Sequence, residues 1–332
     1  MSERWAVLLA SIVIPASGAT SGEFIFERAP FPSCHASTLV ELAHGELLAA
    51  WFGGSDEGRP DVAIWGARKS GGKWSEPFEL AREPDIAAYN PVLFFSGDKT
   101  LWLYYKFGPY PSSWTAARRS SRDRGSTWSE IERLPAGLYG PIKNKPLLLP
   151  DGTILSGTSV ESYRAWACWV ERSTDHGRTW TRHGPILVPG EPYGIIQPAI
   201  VPLPDGRLRM FVRATQRIGR ICYADSTDGG LTWTPAQPTI LPNPNSGIDA
   251  VALRDGRIIL VYNRTQKGRS PLNVAVSSDG EAWNNFLTLE SEPGEFSYPA
   301  VIQSSNLNLH VTYTWNRKRI KHVEVPLPDI PR

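Results

Sequence analysis

Ser173-Thr174-Asp175-His176-Gly177-Arg178-Thr179-Trp180 is one of three intact copies of a Ser-x-Asp-x-Gly-x-Thr-Trp box. The second is built from Ser121, Asp123, Gly125, Thr127 and Trp128, and the third from Ser226, Asp228, Gly230, Thr232 and Trp233. Weaker copies hold Ser277, Asp279, Gly280 and Trp283, and Ser70, Gly71, Gly72 and Trp74. The closing tryptophans Trp74, Trp128, Trp180, Trp233 and Trp283 therefore recur about every fifty residues, a period that marks an array of like units. Within a box the aspartate can accept hydrogen bonds from turn backbone, the glycine permits positive φ, and the tryptophan can pack beneath the hairpin. The box reads as a fold staple, so its aspartates are not chosen as acids merely because they recur.

A second period runs out of phase with the first. Glycine or Asp-Gly turns between apolar strands stand at His44-Gly45, Gly97-Asp98, Asp151-Gly152, Asp205-Gly206 and Asp255-Gly256, and in degenerate form at Asn306-Leu307. Asp-Gly between strand-like runs is a strong hairpin signal. Six turns at this spacing predict an all-β fold, a six-bladed β-propeller of four-stranded blades, in which radial closure removes exposed sheet edges. The chain has 332 residues with 29 Gly and 29 Pro, a composition suited to many short strands and tight turns. We expect residues 23–332 to form this single domain.

The charge balance is near zero, 35 Lys and Arg against 33 Asp and Glu, which argues against a polybasic nucleic-acid surface. Cys34, Cys168 and Cys222 form neither a disulfide framework nor a CxxC pair and read as buried thiols. Nothing in the spacing of His, Cys and carboxylates suggests a transition-metal site. No glycine-rich loop follows a strand and opens a helix, so no nucleotide or other cofactor is implied. Residues 1–22 admit two readings. The apolar run Trp5 to Pro15, followed by Ala16-Ser17-Gly18-Ala19, suits a secretory signal peptide and is too short to span a membrane; the same run could pair as an N-terminal strand. The protein is extracytoplasmic on the first reading and cytoplasmic on the second.

In each repeat the strand before the Asp-Gly turn starts at the rim where the next strand ends, so polar residues at those two places should converge on one mouth at the axis. The starts give His35, Asn90, Lys143, Asn144, Lys145, Gln197, Asn245 with Asp249, and Tyr298; the ends give Asp56 and Glu57 with Asp61, Tyr105 and Lys106, Glu161, Arg213, Asn263 with Arg269, and Tyr313 with Trp315. Bases, a few carboxylates, a tyrosine and amides suit an acidic sugar better than a flat protein-docking face.

From about Phe24 onward the chain resembles the predicted-neuraminidase branch of the sialidase-like family. The likeness is carried by Pro32-Ser33-Cys34-His35-Ala36-Ser37-Thr38, by Trp51-Phe52-Gly53-Gly54 through Asp61-Val62-Ala63-Ile64-Trp65, and by Gly140-Pro141-Ile142-Lys143-Asn144-Lys145-Pro146. Pro242-Asn243-Pro244-Asn245-Ser246-Gly247, Gly294-Glu295-Phe296-Ser297-Tyr298-Pro299-Ala300 and Thr312-Tyr313-Thr314-Trp315 add to it. The resemblance implies a substrate carboxylate held by three arginines, a tyrosine nucleophile activated by a glutamate, and an aspartate as acid/base, a known exception among glycosidases. Arg213 and Arg269 match the second and third arginines, Tyr298 the nucleophile, and Asp61 or its neighbour Asp56 the acid. Two positions depart from the pattern: His35 stands where the first arginine belongs, and Gln197 where the glutamate belongs. A neutral amide cannot take a proton from Tyr298. Lys143, Asn144, Asp56, Glu161, Asn245 and Lys106 are expected to add contacts to the sugar. Three functions stay open: an exo-acting glycoside hydrolase on a sialic acid or related sugar, a lyase acting on a uronate, and a non-catalytic sugar binder.

Overall fold

The computed structural model describes residues 20–332. The expected signal peptide or leading strand lies outside these residues apart from its last few positions. Six antiparallel sheets follow one another along the chain, as the two sequence periods predict. Blade 1 is Ser33–Ala43, Glu46–Gly54, Ala63–Ser70 and Lys73–Trp74, with Phe78–Ala81 also paired to its third strand. Blade 2 is Ala88–Phe95, Leu101–Phe107, Thr115–Ser121 and Glu132–Arg133; blade 3 is Leu147–Leu148, Ile154–Glu161, Trp166–Ser173 and Thr181–Ile186. Blade 4 is Ile195–Pro202, Leu208–Ala214, Arg220–Ser226 and Gln237–Pro242; blade 5 is Asp249–Ala252, Ile258–Asn263, Leu272–Ser277 and Asn284–Glu290. Blade 6 takes Phe296–Gln303, Leu309–Trp315 and Arg319–Val325 from the end of the chain and its outer strand, Ser21–Phe24, from the beginning.

This exchange closes the ring. Glu23 on the outer strand reaches Lys69 Nζ at 2.6 Å and Trp74 Nε1 at 3.1 Å in blade 1, and His322 Nδ1 at 3.1 Å in blade 6. These contacts, the His322 hydrogen bond first among them, hold its carboxyl down at about 2. Apolar side chains fill the wedges between blades. Leu48, Tyr89, Leu103 and Tyr105 pack between blades 1 and 2, Val170, Met210 and Cys222 between blades 3 and 4, and Phe296, Val311 and Tyr313 between blades 5 and 6. The three cysteines are buried free thiols.

Both sequence motifs lie at one end of the ring. In blade 3, Ser173 of the box pairs with Ile154 just past the Asp151-Gly152 turn, whereas Glu161 and Trp166 pair at the opposite end. Each intact box satisfies itself. Gly177 N donates to Ser173 Oγ at 2.9 Å, Thr179 N to Asp175 Oδ1 at 2.9 Å, and Thr179 Oγ1 to Asp175 Oδ2 at 2.6 Å. The other two repeat this pattern, with Thr127 and Thr232 hydroxyls donating to Asp123 and Asp228 at 2.6 and 2.5 Å. At the sixth turn Leu307 takes φ of 72°, the left-handed conformation that glycine supplies at Gly152, Gly206 and Gly256.

Candidate active site

The opposite end is shaped by a repeated irregularity. In blades 1, 2, 4 and 6 the innermost strand carries one extra residue against its partner, between His35 and Thr38, Tyr89 and Val92, Ile196 and Ala199, and Ser297 and Ala300. The residue inside each bulge is left-handed: Ala36, Asn90, Gln197 and Tyr298, with φ of 58°, 42°, 58° and 52°. Three of them precede a proline, which a bulge tolerates because no ladder donor is required there. A left-handed non-glycine residue costs on the order of 1–2 kcal/mol, so four in equivalent places are held there by the surrounding structure. A bulge re-aims a side chain, and these four bring His35, Asn90, Gln197 and Tyr298 together round the axis.

They open on a cavity of ≈ 620 Å³ lined by Asp56, Glu57, Gly58, Arg59, Tyr89, Asn90, Pro109, Tyr110, Pro111, Trp114, Glu161, Gln197, Arg213 and Tyr298. At its floor, Arg213 Nη1 donates to Tyr298 Oη at 2.7 Å and to Gln197 Oε1 at 3.2 Å, while its Nε donates to Asn245 Oδ1 at 2.8 Å. A guanidinium only donates, so it fixes the Gln197 carbonyl toward itself and turns the amide nitrogen toward Tyr298 Oη, 3.2 Å away. The tyrosine oxygen thus accepts from two donors. Its own proton has to point into the cavity.

Cations surround this tyrosine. The Arg213 and Arg269 guanidinium carbons lie 5.6 and 5.7 Å from its ring centre, and Lys143 Nζ 5.8 Å. His35 packs against it at 4.2 Å between ring centres and bonds Thr314 Oγ1 through Nδ1 at 2.9 Å. His35 is buried, and burial pushes its pKa well below the ordinary histidine value; Arg317, Arg269, Arg213 and Lys143 push it the same way. The imidazole is neutral, so it does not supply the charge of the arginine whose place it takes. Its Nε2 has no hydrogen-bond partner among the described residues. A substitute charge that no strand start or end pointed to is Arg317, a left-handed residue in the turn between Leu309–Trp315 and Arg319–Val325. Arg317 Nε and Arg269 Nη1 share Glu295 Oε1 at 2.9 and 2.7 Å, and Arg317 also pairs with Glu57.

Other expected mouth residues sit elsewhere. Lys143 Nζ is buried and bonds Asn144 Oδ1, Ile248 O and Pro299 O, tying blades 5 and 6 across the axis; burial lowers its pKa to about 7. Asn144 donates to Gln197 O at 3.0 Å. Lys106 is fully buried and donates to Pro141 O at 2.8 Å. These three staple the axis below the cavity. Asp61 accepts from Ser55 N and Ser55 Oγ, both at 2.8 Å, and the Ser55 hydroxyl holds its pKa below the usual carboxylate range. It anchors the loop that presents Asp56 and Glu57. Asn245 holds Arg213 from behind. Glu161 faces the cavity, and burial raises its pKa against the pull of Arg213. The loop after Leu101–Phe107 adds Trp114 and exposed Tyr110 to the cavity wall, and the Trp114 ring is tilted against Tyr89 with 4.9 Å between ring centres. Among the described residues no cluster of His, Cys, Asp and Glu is placed to hold a metal ion.

A closed six-bladed ring with Asp boxes at one end and, at the other, a cavity whose tyrosine is surrounded by cations defines a sialidase-like propeller. The family model described as a BNR repeat-like domain matches residues 45–311, and the chain belongs to that family. A curated sialidase of Micromonospora viridifaciens is 26% identical over 82% of this chain and 48% of its own length, so the chain spans about half of that relative. Among solved structures, a protein of unknown function from Dyadobacter fermentans matches 94% of this chain and 100% of its own, with a TM-score of 0.77 and 17% identity. An intramolecular trans-sialidase from Ruminococcus gnavus matches 93% and 97%, with a TM-score of 0.76 and 13% identity. A sialidase from Streptococcus pneumoniae matches 93% and 71%, also at 0.76 and 13%. The last three likenesses are of fold.

Proposed function

We propose that the protein is an exo-acting glycoside hydrolase for a terminal acidic sugar, a sialic acid or a close relative. The observation that carries this reading is the hydrogen-bonded set Tyr298, Arg213 and Gln197 at the floor of the cavity, ringed by further cations. The Nη2 group of Arg213, whose Nε and Nη1 are already engaged, and the unshared N–H groups of Arg269 are charged donors suited to a sugar carboxylate. Bound there, the anomeric carbon would meet Tyr298 Oη, and the two donors on that oxygen would stabilise it once its proton is gone. A carboxyl lining the cavity would give a proton to the departing oxygen. Tyr110 and Trp114 offer faces on which a sugar ring can stack.

Among the described residues no carboxylate is hydrogen-bonded to Tyr298, which favours a second reading. With Gln197 in place of a base, the deprotonated tyrosine would take the C5 proton of a uronate while Arg213 neutralises the carboxylate; the C5–H pair becomes the C4–C5 double bond and the sugar linked to O4 leaves with the C4–O pair, which is an elimination. A panel of sialosides, Kdo glycosides and oligosaccharides that carry a sugar on O4 of a uronate separates the two. The hydrolase releases reducing ends without near-ultraviolet absorbance, and the lyase generates both. Tight retention of an acidic sugar with no turnover of any member would instead mark a sugar-binding propeller.

A further inference from the structure

We infer that Glu161 is the group that carries the proton to and from the leaving oxygen, a role that deepens the hydrolase reading above and rests on it. The carboxylates around the mouth are already engaged, except this one. Glu57 pairs with Arg317, Glu295 holds Arg269 and Arg317, Asp61 is capped by Ser55, and Asp56, on the exposed loop, accepts from Glu57 N at 2.9 Å. Glu161 ends the second strand of blade 3 and turns into the same cavity as Tyr298, Arg213 and Gln197. Among the described residues its carboxyl has neither a salt bridge nor a hydrogen-bond partner, and it lines the cavity. A half-buried carboxyl left free at a cavity wall has whatever fills the cavity as its partner.

The surroundings suit an acid that works near neutral pH. A general acid is most effective when its pKa approaches the working pH, and partial burial is the usual way to raise a glutamate. Burial raises Glu161; the opposing charge is Arg213 on the neighbouring blade, with Asp56, Glu57, Arg59 and Tyr89 across the opening and the Cys168 thiol behind it. Tyr298 first gives its cavity-facing proton to solvent water; in the forward step its phenolate then bonds to the anomeric carbon, the glycosidic C–O pair moves onto the leaving oxygen, and that oxygen takes the Glu161 proton. In the return step Glu161 takes a proton from water, the water oxygen bonds to the anomeric carbon, and the C–O pair returns to Tyr298. The sum is one water consumed per glycosidic bond, with the glutamate and tyrosine restored.

Paired substrates test this. For each of sialic acid, Kdo and glucuronate, one is a 4-nitrophenyl glycoside, whose leaving group departs without a proton, and the other a galactosyl-linked glycoside, whose leaving group needs one. Glu161→Gln should lower kcat/KM on the galactosyl-linked substrate by about 10²- to 10⁴-fold while changing the nitrophenyl substrate by less than about 10-fold. It should also erase the basic limb of the pH profile, which Glu161→Asp should partly restore. A melting curve matching the parent shows that the variant is folded. Equal losses on both substrates, no loss on either, or the same split in Asp56→Asn instead would overturn the assignment to Glu161. Silence of the unmodified protein on every substrate would overturn the hydrolase reading itself, and the role of Glu161 with it.

Discussion

At the base of the propeller Asp123, Asp175 and Asp228 each sit inside a turn that meets all their hydrogen-bonding needs from residues within four positions. At the mouth the polar groups come from blades far apart in sequence: Arg213 reaches Tyr298 across 85 residues, and Gln197 reaches it across 101. Some there are left open, among them Glu161 and His35 Nε2. Carboxylates alone do not separate the two ends. What separates them is whether the chain nearby has already used them, and that makes repetition a sign of structure and incompleteness a sign of function.

The contrast can be broken at several points. The largest effect is expected at the mouth: Tyr298→Phe should lower turnover of the active substrate by about 10³-fold or more with the melting temperature nearly unchanged. A variant that keeps its turnover would place the chemistry elsewhere. Between the two ends, Lys143→Met should cost about 2–4 kcal/mol in urea denaturation, because it strands Asn144 Oδ1 and two backbone carbonyls. If it left stability intact and abolished only binding of anionic sugars, the lysine would belong to the mouth after all. At the base, Asp175→Ala should cost about 1–2 kcal/mol and leave kcat untouched at temperatures where the variant is folded. A kcat loss there would erase the distinction between the ends.

The smallest effect is expected at the ring's clasp, and it depends on pH. The Glu23 carboxyl is lowered on folding from 4.5 to about 2, so the stability it adds is complete above pH 4.5 and is lost as pH falls toward 2. Glu23→Gln should therefore be less stable than the parent by under about 1 kcal/mol at pH 6, the gap closing on acidification. A gap that widened in acid would show that another contact dominates the clasp.

The ring itself was legible because five blades repeat the same punctuation and the sixth keeps the turn in degenerate form: a box tryptophan and a Gly turn can be read without knowing what touches what. The convergence of His35, Gln197, Arg213 and Tyr298 was legible too, since strand starts and strand ends must share a rim. Depth along the axis was not. Lys143, Asn144 and Lys106 occupy the right places in the repeat but fall below the cavity, where backbone carbonyls of several blades crowd inward and a long cation can satisfy them. Only packing separates Asp61, held by Ser55, from Asp56 beside it. Arg317 and Trp114 lie on connections rather than at strand ends, so no periodic rule pointed to them. The bulges have a faint trace in sequence, the prolines at 91, 198 and 299, each directly after a left-handed residue.

Closure of blade 6 by Ser21–Phe24 sets an order of events during synthesis. The strand pairs with Phe24 opposite Lys321 and Ser21 opposite Glu324, and its Glu23 bonds a histidine 299 positions away. Contacts of such separation form late and slow a fold, because a long loop has to close before they bring any gain. The first of the described strands to leave the ribosome is therefore among the last to find its place. Until the final hairpin emerges, blade 6 offers an unpaired edge, and blade 1 lacks the Glu23 partner of Lys69 and Trp74. Nascent chains halted before Arg319 should hold five blades and an open seam, the state in which the protein is most exposed to edge-to-edge association.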